Sequence, residues 1–158
     1  LSYNVAKFKD FSTAPCFNGQ LPGEGCLPSA PGKPNVQNLS GENLANAPRF
    51  SGFFGVSYDT PISDGINIGL SADVKYISWY HSQDNQAPGT RQPGYAKFNA
   101  AIRFHDPDET WEFALIGRNL TNEIKVLTSG DKPGGNRGDL SGVVERGREL
   151  TVQGTFRF

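Results

Sequence analysis

The chain has 158 residues, of which 36% are hydrophobic and 20% charged, with a formal net charge of −1 and a mean hydropathy of −0.47. These values exclude a helical membrane protein, because no stretch approaches the roughly 20 apolar residues of a spanning helix, and the scattered basic residues lack the footprint of a nucleic-acid binder. They leave a strand protein open: 19 glycines, 11 prolines and 11 phenylalanines without a methionine favour strands and turns, and a transmembrane barrel needs only alternate residues to be apolar.

The first stretch, LSYNVAKFKDF, alternates in part before turning charged at Lys7, Lys9 and Asp10. It is expected to be a strand leaving an apolar layer for water. Nothing marks Leu1 as a natural start, and the chain is expected to be a fragment of a longer polypeptide. A connection of about 35 residues follows, Ser12 to Asn46, with almost no periodicity; loops of that length are usually functional or disordered. It holds Cys16 and Cys26, too far apart for a CxxC redox pair and too few to ligate a metal. A small disulfide-closed loop is the preferred reading, and with it an oxidising compartment.

The segment APRFSGFFGVSYD predicts a second strand, with Phe50, Gly52, Phe54, Val56 and Tyr58 on one face. After the short connection TPISDG, INIGLSADVKYISWY alternates most cleanly: Ile66, Ile68, Leu70, Ala72, Val74 and Tyr76 stand opposite Asn67, Gly69, Ser71, Asp73 and Lys75. About eleven residues of alternation match the 9 to 11 of a tilted strand crossing a bilayer. The polar loop HSQDNQAPGTRQPG leads to YAKFNAAIRFH, the tight turn DPDET leads to WEFALIGRNLTNEIKVL, and a Gly-rich loop of about 20 residues leads to the closing RELTVQGTFRF. There Leu150, Val152, Gly154, Phe156 and Phe158 oppose Glu149, Thr151, Gln153, Thr155 and Arg157.

The connections thus run long, short, long, short, long. Outer-membrane barrels sort their loops this way, with short periplasmic turns and longer external loops. Asp73, Lys75, Lys97, Arg103, Glu112, Arg118, Glu149 and Arg157 all fall opposite the apolar stripe. In a soluble barrel these charges would face solvent; in a membrane barrel they would line the lumen. The alternation is the same in both cases. Strand length, loop sorting, the terminal Phe158 and aromatic residues near strand ends (Tyr58, Tyr76, Trp111) favour lipid. The predicted class is all-β: an antiparallel up-and-down transmembrane β-barrel segment of six strands over residues 1–158.

Three phrases go further. NLSGENLANAPRFSGFFGVSY, through Leu39, Ser40, Gly41, Leu44, Asn46, Ala47 and Pro48, resembles the loop-to-strand segment of TonB-dependent outer-membrane receptors. WEFALIGRNLTNE resembles that family's penultimate strand, with Asn119, Leu120, Thr121 and Asn122 carrying the match. RELTVQGTFRF resembles its closing strand, although Gly154 replaces the usual bulky apolar residue. The resemblance implies a 22-stranded barrel around a plug domain, of which this chain holds the last six strands. The plug and the earlier strands would belong to the original polypeptide or to partner chains, since open edges in lipid are prohibitive. It implies a bacterial cell outer membrane location, TonB acting through the missing plug, and Phe158 at the periplasmic rim as an assembly signature.

Other motifs carry less. His81 and His105 have no second ligand at metal spacing. The cluster Asp106, Asp108 and Glu109 lacks the ligand set of a calcium loop. GDKPGGNRGD has no GK[ST] to cradle a phosphate, Arg137-Gly138-Asp139 reads as chance, and the Asn119-Leu120-Thr121 sequon as incidental. No nucleophile elbow is present. The expectation is a non-enzyme without cofactor or metal: the wall and loops of a receptor importing a bulky scarce nutrient such as a siderophore, haem, cobalamin or an oligosaccharide. The expected ligand contacts are the loop residues Phe17, Asn18, Gln83, Asp84, Arg91 and Lys132, with Asp73, Lys75, Lys97, Arg103, Glu112 and Arg118 facing the lumen. A passive channel or translocator barrel, and a soluble β-sandwich module, are the rival readings.

Overall fold

The computed structural model describes residues 1–158. Its strands are β1 (Ser2–Tyr3), β2 (Ala14–Pro15), β3 (Val36–Gln37), β4 (Phe50–Ser63), β5 (Ile66–Ile77), β6 (Tyr80–His81), β7 (Arg91–Gln92), β8 (Tyr95–His105), β9 (Trp111–Arg118), β10 (Val126–Asp131), β11 (Leu140–Val144) and β12 (Glu149–Phe156), with one 3-10 turn at Pro22–Glu24. Six strands form a single antiparallel sheet in the order β1-β4-β5-β8-β9-β12, and the others pair as three two-stranded ribbons. The protein is therefore all-β and antiparallel. The sheet is open, not a closed barrel: β12 pairs only with β9.

The period-2 pattern builds the long strands, and the register lines up their apolar sides. Tyr58, Leu70, Ile102, Leu115 and Val152 form one cross-strand row. Val56, Ala72, Ala100, Gly117 and Leu150 form the next, and Thr60, Ile68, Phe104, Phe113 and Gly154 a third. A one-residue slip anywhere would move a whole stripe to the other face. No further layer of the chain packs over this face: Val152 is 81% exposed and Phe54 69%. No second sheet covers it, as a sandwich requires.

Two glycines in the apolar face make room for neighbours. A Cβ at Gly117 would meet Leu120 Cδ2 at 2.7 Å, so Leu120 folds back into the gap. Gly154, where a bulky side chain was the expected occupant, lies under the Phe113 ring, 3.3 Å from where its Cβ would stand. Phe113 in turn meets Phe156 edge-on at 5.6 Å. The aromatic ring covers the glycine, as cross-strand aromatics do elsewhere.

The structure corrects several boundaries. Only Ser2 and Tyr3 of the first predicted strand join the sheet; the rest of that stretch runs beside residues 39–44 through isolated bonds such as Phe8 N–H to Glu42 O and Leu44 N–H to Ala6 O. Its charged residues leave no stripe to hold in the sheet. Because β1 covers only the first two residues of β4, Pro61 falls on an open edge beside a register irregularity, where a missing N–H is tolerated. The Asp64-Gly65 pair alone turns β4 into β5, Gly65 taking φ 77°. The Gly-rich loop before β12, together with Val126 and Leu127 ahead of it, forms the β10-β11 hairpin, while β9 itself ends at Arg118. Tyr58 sits opposite Leu70 inside β4, not at a strand end, whereas Tyr76 and Trp111 do lie at strand ends.

Candidate functional site

In an antiparallel meander every second connection returns to the same end. The three long connections, residues 4–49, 78–94 and 119–148, therefore meet at one end of the sheet. They hold most of the buried residues: Ala14, Cys26, Gln37, Leu39, Tyr80, Ser82, Asn85, Ala87, Thr90, Gln92 and Asn119. This loop cap is fastened by polar side chains. Cys16 and Cys26 form a disulfide with Cα atoms 5.8 Å apart, as the sequence reading preferred. Gln37 Nε2 donates to Pro15 O at 2.9 Å and Asn85 O at 3.0 Å, joining the first loop to the second. Asp131 Oδ2 accepts from Asn85 Nδ2 at 2.9 Å and from the Asn18 N–H at 3.2 Å, joining the third loop to both.

The NLTNE phrase is the cap's anchor on the sheet. Asn119 and Asn122 take φ 49° and 55°, a left-handed conformation that Asn tolerates best among non-glycine residues. Buried Asn119 donates through Nδ2 to Glu123 O and Arg146 O and accepts the Glu123 N–H at 2.9 Å, while its own N–H reaches Asn99 Oδ1 at 2.8 Å. Thr121 Oγ1 donates to Ala96 O at 2.9 Å and the Leu120 N–H to Phe98 O at 2.7 Å. A turn at the end of β9 is thus tied to β8 and to the segment before β12.

Within the cap lies a cavity of about 430 Å³ lined by Pro15, Ala45, Asn46, Ser82, Gln83, Asp84, Asn85, Thr128 and Ser129. Ser82 Oγ donates to Thr90 O at 3.0 Å and lies 2.8 Å from Ser129 Oγ, so these hydroxyls serve the framework. Gln83 Oε1 is the one buried side-chain oxygen or nitrogen without a hydrogen-bond partner. A second cavity, about 340 Å³, lies between the cap and the charged face and is lined by Asn46, Pro48, Lys75, Ile77, Tyr80, Tyr95, Leu127 and Glu145. Lys97 pairs with Glu145 there. The Tyr95 ring sits 5.6 Å from Lys97 Nζ and 5.0 Å from Lys125 Nζ, within cation–π range.

Burial pushes the Tyr80 phenol above its ordinary pKa, with Glu145 adding to the effect, so Tyr80 stays neutral and donates to Val126 O at 3.1 Å. Burial lowers the His81 imidazole, helped by Arg91. His81 Nδ1 lies 3.1 Å from Thr90 Oγ1, whose proton is committed to Ala87 O at 2.7 Å. The hydrogen bond from Arg137 holds the exposed Glu24 carboxyl below its ordinary value.

The charged residues do share one face. Lys75 stands opposite Lys97, Asp73 opposite Asn99, Glu112 opposite His105 and Arg118 opposite Glu149. Asn99 Nδ2 donates to Asp73 Oδ2 at 2.7 Å. Gly69 leaves space for its row partners: a Cβ there would lie 2.8 Å from Asp59 Oδ2 and 3.3 Å from Arg103 Nε.

Of the predicted loop contacts, Gln83 and Asp84 meet in the larger cavity. Phe17, Asn18 and Lys132 form a separate cluster: Asn18 Nδ2 donates to Lys132 O at 2.9 Å, and the Phe17 ring lies 5.7 Å from the Arg137 guanidinium. Arg91 lies over the Trp79 ring at 4.8 Å, outside the cavity lining. Asn46, Ser82, Thr128 and Ser129 were missed. Asn46, ahead of Ala47-Pro48, carried a signal as a turn-prone Asn; the hydroxyl residues carried none, because Ser and Thr in a loop are ordinary.

Comparison with protein-family models, with curated proteins and with solved structures found no match.

Proposed function

We propose that this chain is the carboxy-terminal six strands of a 22-stranded, TonB-dependent outer-membrane receptor, with its apolar face toward lipid, its charged face toward the lumen and its loop cap outside the cell. One observation carries the reading: the apolar rows run flush across five strands with no protein layer over them, while the opposite face gathers the charges. A continuous patch of this extent needs a partner phase. Lipid supplies one, and strands of 11 to 14 residues in β4, β5 and β8 are long enough to cross it.

In this reading the open edges of β4 and β12 pair with further strands of the barrel, which leaves no ladder group unsatisfied in hydrocarbon. A plug domain fills the lumen beside Asp73, Lys75, Lys97, Arg103, Glu112 and Arg118. TonB, driven by the inner-membrane proton gradient, moves the plug, and a bulky scarce nutrient captured at the loop cap is imported without chemical change. Phe158 closes the chain at the periplasmic rim.

The test is labelling of intact cells with a membrane-impermeant maleimide. Asp84→Cys in the cap is expected to react and Asp108→Cys in the β8-β9 turn to be protected until the outer membrane is permeabilised. Recovery of the protein in the aqueous fraction after lysis, or the reverse labelling pattern, overturns the reading. Uptake that survives collapse of the proton gradient would favour a passive channel.

A further inference from the structure

We propose that the larger cavity of the loop cap binds a neutral, polyhydroxylated ligand, a saccharide, through the Asn46 amide, Gln83 Nε2, the Asp84 carboxylate and the Thr128 hydroxyl. The proposal rests on the receptor reading only for the side from which the ligand arrives; its recognition chemistry belongs to the cavity alone.

The lining divides into two sets. Ser82, Asn85 and Ser129 are committed to the framework: Ser82 Oγ to Thr90 O, Asn85 Nδ2 to Asp131, Asn85 Oδ1 to the Ala87 N–H, and Ser129 Oγ to Ser82 Oγ. Ser82 is 2% and Asn85 7% exposed, so this set is rigidly held. The side chains of Asn46, Gln83, Asp84 and Thr128 make no hydrogen bond within the protein; in Gln83 the Oε1 is buried away from the cavity surface, which leaves Nε2 as the group that amide offers. A fixed wall carrying free polar groups is what a preorganised binding site requires.

The composition of the wall selects the ligand. No Lys, Arg or His lines the cavity, so an anion would meet the Asp84 carboxylate with no opposing charge. One carboxylate is too few for a hard cation, and nowhere in the structure are three His, Cys, Asp or Glu side chains placed to hold a metal ion together. Only one of the nine lining residues is hydrophobic, which excludes an apolar guest. Vicinal hydroxyls remain: they donate to a carboxylate and exchange both kinds of hydrogen bond with amides. The volume of about 430 Å³ lies within the range of small-molecule sites, roughly 300 to 1,000 Å³.

Asn46 links the two cavities. It takes φ 53°, held by its N–H donating to His81 O at 2.8 Å, and it lines both. Asn46 thus stands where a guest in the cap would pass toward Lys75 and the charged face.

The experiment is calorimetric titration of the full receptor chain, in detergent micelles or in buffer according to how it fractionates. The probes are maltotriose, cellotriose and xylotriose, with a ferric tris-catecholate complex and inorganic phosphate as anionic controls. At least one trisaccharide is expected to bind, and Asp84→Ala to weaken it by about tenfold or more, the loss of one charged hydrogen bond. Asn46→Gly keeps the left-handed backbone while deleting the amide, and is expected to weaken binding several-fold at unchanged thermal stability. Binding of none of the trisaccharides, binding unaffected by both variants, or binding of either anionic control with the same dependence on Asp84 overturns the proposal. The labelling pattern decides the receptor reading separately, because a saccharide can bind the cavity whichever compartment holds the protein.

Discussion

The sheet and the loop cap solve opposite problems. The sheet arranges its large apolar side chains on a face that no further layer of the chain covers, and in the long strands only Gly69, Tyr95, Ala114 and Gly117 are buried. The cap, far poorer in apolar residues, holds most of the buried positions and satisfies them with a dense polar network. The hydrophobic stabilisation of the sheet therefore depends on its surroundings, at about 25 cal/mol per Å² of apolar surface removed from water. The stability of the cap is internal. A stretch of chain can thus be well ordered without an apolar core, provided its buried donors and acceptors are paired.

The largest expected effect breaks the sheet side of this contrast. Leu70→Arg puts a cation in the middle row of the apolar face and is expected to cost about 2 to 4 kcal/mol near a bilayer midplane. Ser71→Arg, one residue on and on the charged face, is expected to change stability by no more than about 0.5 kcal/mol. Urea unfolding from lipid vesicles compares the two, and equal costs would refute the assignment of faces.

On the cap side, Cys16→Ser with Cys26→Ser is expected to remove about 2 to 3 kcal/mol by releasing loop entropy in the unfolded state. Limited proteolysis reads it as faster cleavage within residues 12–46, with the sheet strands still protected. Cleavage of the sheet at the same rate would mean that cap and sheet unfold as one unit.

Asn119→Ala tests the joint between the two regions. It removes the bonds to Glu123 and Arg146 and leaves buried groups unpaired, an expected cost of about 1 to 3 kcal/mol. Hydrogen exchange is expected to quicken at Leu120 and Glu123 and to stay slow at Leu70. Uniform quickening across β5 would place Asn119 in the sheet's cooperative unit instead.

The smallest effect is on pH. The folded pKa of His81 lies below its ordinary 6.5, so the unfolded cap binds a proton more readily than the folded one. Stability is then greatest above that value and falls as pH drops from it toward the folded pKa. As pH falls below 6.5, the protection factors of Ser82 and Thr90, which correct for the slower intrinsic exchange in acid, are expected to drop, and His81→Gln to flatten that dependence. The Glu24–Arg137 pair acts in a more acidic window: the Glu24 carboxyl is held below 4.5, so its contribution is complete above 4.5 and is lost as pH falls from there through the folded pKa.

Much of the sheet was legible because a strand writes its two faces into alternate residues. Leu70, Ile102, Leu115 and Val152 could be assigned to one side from the chain alone, and the register then placed them in one row. The NLTNE phrase was recognisable as a pattern, but its work as a buried knot tying β9 to β8 depends on backbone carbonyls distant in sequence. The cap was mostly illegible. Gln83 and Asp84 were read as contacts because they are polar and lie in a loop, which is equally true of Asn18 and Lys132, and those fall in a different cluster.

Local periodicity by itself determined the strand class, the two faces of the sheet and the sorting of long and short connections, and a count of two cysteines made a Cys16–Cys26 bridge the preferred reading over free thiols, which the structure then showed. Only the tertiary structure decided how far β1 enters the sheet, where the β10-β11 hairpin forms, why Gly154 tolerates the loss of a side chain beneath Phe113, and which loop residues enclose the cavity. Those outcomes depend on residues as far apart in sequence as Asn18, through its backbone N–H, and Asp131, whose meeting no local pattern encodes.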